Sequence, residues 1–197
     1  MVSSITLKNL IIGYRLKHQL RAIASPVHAS LQAGELTCLI GANGVGKSTL
    51  LRTLAGFQPA LDGEILIQDK SLSDFSAQEL AREISIVLTS KTDHAQLSAE
   101  EIVGIGRSPY TGFWGTLSAA DKQIVAAALQ EAGILHLAQR NISELSDGER
   151  QKVMIAKALA QQTRIIILDE PTAFLDFPSK IETLQMLRHL AHEQHRS

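Results

Sequence analysis

The first third of the chain alternates apolar and polar positions over short stretches broken by turn residues. Residues 5–12 and 27–31 are β-branched or alternating, and they are separated by Gly13, by Lys17, His18 and Gln19, and by Ser25 and Pro26. That pattern predicts a small antiparallel β layer. An apolar run at 36–40 (LTCLI) predicts a buried strand, and 50–55 (LLRTLA) predicts the helix that follows it. Past a turn cluster at 58–63, residues 64–68 predict a strand, 76–79 a short helix opened by a capping box, and 84–88 the next core strand.

The chain turns polar over 90–95, and Ser98 and Glu101 then cap a helix running to about Gly106. Between Arg107 and Thr116 lies a loop of Pro, Gly and aromatic residues (SPYTGFWG). Exposed aromatics there would mark a partner surface, whereas Phe113 and Trp114 folded back would pack on neighbouring helices. From Ser118 a helix carries Ile124, Val125, Ala128 and Leu129 on one face, and a second short helix covers 134–139, so this region predicts a helical insert. Residues 145–151 (LSDGERQ) precede Val153, Ile155, Ala158 and Leu159 at helical spacing, which puts a polar heptad at a helix start, where free N–H groups form an anion site. Residues 165–168 (IIIL) predict a core strand ending in Asp169 and Glu170, and a last helix is expected to turn Ile181, Leu184, Leu187 and Leu190 inward.

Composition narrows the class. In 197 residues, 45% hydrophobic and 20% charged residues describe a soluble globular chain rather than a disordered one, and this length suits one domain or a domain with a subdomain. The formal net charge of −1 gives no overall basic field for nucleic acid or anionic lipid. The single cysteine, Cys38, falls in the apolar run and is read as a small buried hydrophobe. With no secretory leader pattern and no run long enough to span a bilayer, the expected location is cytoplasmic.

Between the apolar run and the helix at 50–55 stands GANGVGKST, residues 41–49, which fits G-x-x-x-x-G-K-[ST] with Gly41, Gly46, Lys47 and Ser48 at the fixed places. A strand-to-helix turn of this composition lets backbone N–H groups wrap phosphate oxygens, while an ordinary Gly-rich turn is the plainer alternative. Lys47 would reach the β- and γ-phosphates and Ser48 would ligate Mg²⁺. Asp169 and Glu170, at the carboxyl edge of a core strand, would emerge beside this loop, Asp169 holding Mg²⁺ and Glu170 orienting and deprotonating the attacking water. Tyr14, at a strand end upstream of the loop, either stacks on a base or caps the small sheet.

Together these motifs resemble the ATP-binding subunits of ATP-binding-cassette transporters over essentially the whole chain. Residues 41–49 are similar to their Walker A motif, with Asn43, Gly44 and Thr49 among the expected nucleotide contacts. Residues 145–151 resemble the signature sequence, 165–170 resemble Walker B, and Phe174 to Asp176 resemble the D-loop. Tyr14 falls where the family has its adenine-stacking aromatic. The stretch from Gly106 to Ser118 is similar to the importer branch handling iron-siderophore, haem and cobalamin.

The resemblance implies an α/β fold: a P-loop NTPase (RecA-like) core with an N-terminal antiparallel β layer and a helical subdomain carrying the signature. The core would take residues 1–89 and 162–197 and the helical subdomain 90–161. It further implies a head-to-tail homodimer sandwiching two ATPs, with Ser146 and Gly148 of one chain on the γ-phosphate bound by the other and Asp176 among the nucleotide-binding residues. Transmembrane permease subunits and, indirectly, a substrate-binding protein would be the partners, with the chain peripheral on the cytoplasmic face of the membrane.

Three departures stand out. Asp147 replaces a usual glycine and Glu149 a usual glutamine in the signature. The place of the family's Q-loop glutamine reads Thr89, Ser90, Lys91, with Gln96 a displaced substitute. The strand bearing the family's switch histidine is not reached before Ser197, and neither His192 nor His195 takes that role, so this chain is expected to bind Mg-nucleotide but to hydrolyse it slowly alone. The rival readings are a soluble cassette ATPase in assembly, repair or translation, separable by co-purification with a permease, and a non-catalytic nucleotide-binding fragment, separable by ATPase activity.

Overall fold

The alternating N-terminal stretch forms β1 (Ser3–Ile11), which pairs antiparallel with β4 (Val27–Gln32) on one side and with β5 (Asp62–Ile67) on the other. A two-residue β6 (Lys70–Ser71) extends this sheet to the order β4-β1-β5-β6. A separate hairpin joins β2 (Gly13–Leu16) to β3 (Gln19–Ala22). These relations come from a computed structural model that describes residues 3–16, 19–88 and 96–193.

Period-two patterning places Ile5 and Leu7 of β1 and Ile65 and Ile67 of β5 on the covered face. They pack with Leu54 of α1 (Lys47–Leu54) and with Ile84, Ile165 and Ile167. The last three belong to a parallel pair, β7 (Ile84–Val87) and β8 (Ile165–Leu168), in register from Ile84 opposite Ile165 to Val87 opposite Leu168. Parallel strands are covered on both faces, which is why β8 reads as a continuous apolar run and β7 as one broken only by the buried Ser85. The Asp169 N–H donates to the Val87 carbonyl at 2.9 Å and carries the ladder one residue further, so the two acids emerge at its carboxyl end.

Four helices start alike. α2 (Ala77–Glu83), α3 (Ala99–Ile105), α4 (Ala119–Glu131) and α5 (Asp147–Ala160) are N-capped by Ser76, Ser98, Ser118 and Ser146, each closed into a capping box by Glu79, Glu101, Asp121 and Glu149. Such a cap stabilises a helix by about 1 kcal/mol and sets its first residue. Ile102, Val103, Val125, Leu129, Val153 and Ile155 form a second core, which Leu187 and Leu190 of α6 (Phe177–Glu193) complete. The segment expected to be helical at 134–139 contains a single 3₁₀ turn, Leu135–Leu137. Arg107, only 5% exposed, ties the loop after α3 to this core: Nε donates to Asp121 Oδ1 at 2.9 Å and Nη1 to the Ala160 carbonyl at 2.8 Å.

Two expectations are corrected. Residues 36–40 form no strand, Cys38 is exposed, and Ile40 is 91% exposed. No described strand pairs with this run, and an apolar segment is buried only where neighbours cover it. In α6, Leu187 and Leu190 are buried, but Ile181 and Leu184 are exposed and Thr183 takes the inward position. Thr183, Leu187 and Leu190 follow the four-then-three step of one helix face, and Ile181 and Leu184 lie off it. Phe113 and Trp114 do not fold back: they are 96% and 87% exposed and touch each other edge to face at 5.4 Å. Thr89, Ser90, Lys91 and His195 lie outside the described residues. No helix among the described residues is long and apolar enough to cross a membrane.

Candidate functional site

α1 starts at Lys47 because Gly46 turns the chain into it from the left-handed region, at φ 107° and ψ 11°. A Cβ at Gly46 would lie 2.6 Å from Ile23 Cγ2, so both the backbone angle and the approach of Ile23 require glycine there. Lys47 Nζ curls back over the loop and donates to the carbonyls of Gly41 at 2.9 Å and Ala42 at 3.0 Å. The first turn of α1 holds no acidic residue, so the ammonium and the helix N-terminus add to one positive locus.

The acids at the end of β8 meet this loop. Ser48 Oγ donates to Asp169 Oδ1 at 3.0 Å, a bond between residues 121 apart in sequence. Asp169 is buried, whereas Glu170 is exposed and sits at φ 51°, a left-handed conformation that costs a non-glycine residue about 1–3 kcal/mol and is concentrated at functional sites. The Tyr14 hydroxyl shares a hydrogen bond with Thr49 Oγ1 at 3.2 Å, which fixes the ring at both ends. Tyr14, Asn43, Gly44, Gly46, Lys47, Ser48, Thr49 and Glu170 line one cavity of about 540 Å³.

The Ser48 hydroxyl and the Asp169 carboxylate set two hard oxygen donors side by side. That suits Mg²⁺, which takes one or two protein oxygens and completes its shell with phosphate and water. Among the described residues no group of three or more His, Cys, Asp or Glu could hold a metal by itself, so the phosphates would be needed.

The other predicted residues stand apart from the cavity. Ser146 caps α5, with its Oγ donating to Glu149 Oε2 at 2.8 Å. The Ser146 N–H and then its hydroxyl hold the Glu149 carboxyl below its ordinary value. Asp147 turns its carboxylate to Arg150 Nη2 at 2.5 Å. A Cβ at Gly148 would meet Ser179 Oγ at 3.0 Å, so glycine lets α5 approach α6. Asp176 accepts from the Ser179 N–H at 3.1 Å, and the Ser179 hydroxyl and N–H lower its pKa. Gln96 is exposed in the turn before α3 and does not line the cavity.

Arg21, Ala22 and Ile23 also line the cavity and were missed from sequence. Their signal was the hairpin itself, whose register sets Tyr14 opposite Arg21.

The family model of ABC transporters matches residues 24–173. An uncharacterised ABC transporter ATP-binding protein of Methanocaldococcus jannaschii is 40% identical over 187 residues, covering 95% of this chain and 63% of the relative. An iron(3+)-hydroxamate import ATP-binding protein of Bacillus subtilis is 36% identical, covering 100% of this chain and 71% of the relative. The chain thus spans about two thirds of the length of these curated relatives. Among solved structures, an ATP-binding cassette in a dimeric post-hydrolysis state with ADP and phosphate superposes with a TM-score of 0.82 at 27% identity, covering 98% of this chain and 84% of that one.

Proposed function

The chain belongs to the ABC transporter family, and from that premise we propose that it is an ATP-binding and ATP-hydrolysing subunit that powers import of an iron-siderophore, haem or cobalamin-type chelate through a membrane permease. The observation that carries the reading is the Ser48–Asp169 hydrogen bond, because it brings the phosphate loop and the strand-end acids into one site. The iron-hydroxamate relative supports the substrate class.

In this reading Lys47 leaves the Gly41 and Ala42 carbonyls for the β- and γ-phosphates, whose charge exceeds that of two carbonyl dipoles. The loop N–H groups and the α1 N-terminus hold the remaining phosphate oxygens, and Tyr14 offers its ring face to the base. Ser48 and Asp169 would hold Mg²⁺, which when bound neutralises charge building up on the phosphates. Glu170 accepts a proton from water as that water's oxygen bonds to the γ-phosphorus. The bond from the γ-phosphorus to the bridging oxygen breaks, and ADP and phosphate leave.

Ser146, Gly148 and Asp176 lie away from their own chain's cavity, which supports a role toward a second copy. Two chains would pair head to tail around two ATPs, with the α5 N-terminus of each on the γ-phosphate held by the other. Closure on ATP and reopening after hydrolysis would move the permease subunits, with the chain peripheral to the membrane on its cytoplasmic side and a substrate-binding protein delivering the chelate.

The test is Glu170→Gln, which keeps the shape but cannot take a proton. Nucleotide affinity should persist, phosphate release should fall by on the order of 10²–10⁴-fold, and an ATP-dependent dimer should accumulate in size-exclusion runs. Unchanged phosphate release would remove Glu170 as the base.

A further inference from the structure

The end of α5 opposite its capped start is tied to the elements that position the strand-end acids. α2 runs directly into β7, and β7 pairs with β8, after which come Asp169 and Glu170. Two sets of contacts join that unit to α5. In the first, the Gln161 side chain at the α5 C-cap donates to the carbonyls of Ala81 at 2.6 Å and Ile84 at 3.0 Å.

The second set runs through the loop after α3. Gly106 lies against the last turn of α5, where a Cβ would come within 2.3 Å of the Lys157 carbonyl oxygen, and Arg107 Nη1 donates to the Ala160 carbonyl at 2.8 Å. Two residues on, the Pro109 carbonyl accepts from α2: from Arg82 Nη2 at 3.0 Å, Arg82 Nε at 3.2 Å and Gln78 Nε2 at 3.3 Å. The Tyr110 ring links the two sides. Its centroid lies 4.1 Å from Arg107 Cζ and 5.3 Å from Arg82 Cζ, and an aromatic face attracts guanidinium groups.

Arg82 and Tyr110 are exposed and do not line the phosphate cavity, so neither burial nor nucleotide binding accounts for this arrangement. Leverage does. The fourteen residues of α5 span about 21 Å, so a tilt of about 10° at the Ala160 end would carry the Ser146 end on the order of 3–4 Å, beyond the ~3 Å reach of a hydrogen bond.

We propose that Tyr110 and Arg82 are positioning residues: they set the tilt of α5 against the acid-bearing strands, and so the aim of its capped N-terminus at the γ-phosphate bound by a second copy. The inference rests on the head-to-tail reading given above.

The experiment places Tyr110→Ala, Tyr110→Phe, Arg82→Ala and Arg82→Lys in the Glu170→Gln chain. It measures the ATP-dependent dimer by analytical ultracentrifugation, Mg-ADP affinity by calorimetry and folding by circular dichroism. Mg-ADP, which in this reading does not hold the dimer closed, should bind all variants as it binds the parent. Tyr110→Ala and Arg82→Ala should weaken the ATP dimer by roughly 5- to 150-fold, the usual span of coupling between sites. Tyr110→Phe keeps the ring and should dimerise like the parent, and Arg82→Lys should recover part of the loss. If Tyr110→Ala fails to fold, Arg82→Ala, at an exposed position, carries the test. Folded alanine variants that dimerise like the parent would overturn the inference, as would an equal loss in Tyr110→Phe or a loss of Mg-ADP affinity in step with the dimer. A parent chain that binds Mg-ATP without dimerising would overturn the head-to-tail reading and the inference with it.

Discussion

Replacing Gly46 with alanine isolates the geometry that opens α1. The substitution meets two separable costs. At φ 107° an L-residue loses about 1–2 kcal/mol from Cβ–backbone crowding. Its Cβ would also lie 2.6 Å from Ile23 Cγ2, and relieving such overpacking costs about 1–3 kcal/mol. The sum is roughly 2–5 kcal/mol, a fall in melting temperature on the order of 4–20 °C for a chain of this size. Ile23→Ala would remove the offending methyl and leave Ile23 Cβ at 3.7 Å, an ordinary contact. The double variant should therefore be about 1–3 kcal/mol more stable than the two single losses predict. Thermal unfolding by circular dichroism on the four proteins measures that coupling. A coupling of zero, or a Gly46→Ala protein as stable as wild type, would refute the claim that the hairpin clamps the phosphate loop.

Two further outcomes follow from single contacts. Tyr14→Ala should weaken ATP and ADP by similar factors, in line with a stacking contribution of ~1–3 kcal/mol, while Tyr14→Trp should be tolerated; a loss confined to ATP in fluorescence titration would reassign Tyr14 away from the base. The Ser118 hydroxyl first, and Arg107 second, hold the Asp121 carboxyl down from 3.8 to about 2. Because the folded-state value is depressed, this contact stabilises fully above about pH 4 and is lost as pH falls toward 2. Denaturant midpoints of wild type and Asp121→Asn should thus converge on acidification through that window, and a constant gap would contradict the assignment.

The parts of the fold legible in sequence were those set by local physics. The caps at Ser76 and Ser98 need only residues three apart, and each starts a helix where that spacing predicts one; Ser118 and Ser146 begin helices the same way. The β layer and the parallel pair followed from two-residue alternation and from continuous apolar runs. The strand-end acids and the glycine-rich turn at 41–49 were expected side by side, and the structure joins them through the Ser48–Asp169 hydrogen bond, with Gly46 in the left-handed region at the start of α1.

What failed depends on distant neighbours. The run at 36–40 has strand composition, but a strand requires a partner, and none of the described strands pairs with it. Thr183 displaced Ile181 and Leu184 from the buried face of α6 because packing against α5 chose a stripe that hydrophobicity alone did not mark. Arg21 was invisible for the same reason, since only the register of β2 on β3 sets it beside Tyr14.

The central claim is that residues 41–49 bind the phosphates of a nucleotide through Lys47. Calorimetric titration of Mg-ATP into the wild-type chain and into Lys47→Ala tests it directly, with thermal unfolding confirming that both are folded. The ammonium should make charge-assisted bonds to two phosphates, each contributing about 1.5–3 kcal/mol, so the variant should bind on the order of 10²–10⁴-fold more weakly or not measurably. Equal affinity in the two proteins would contradict the account.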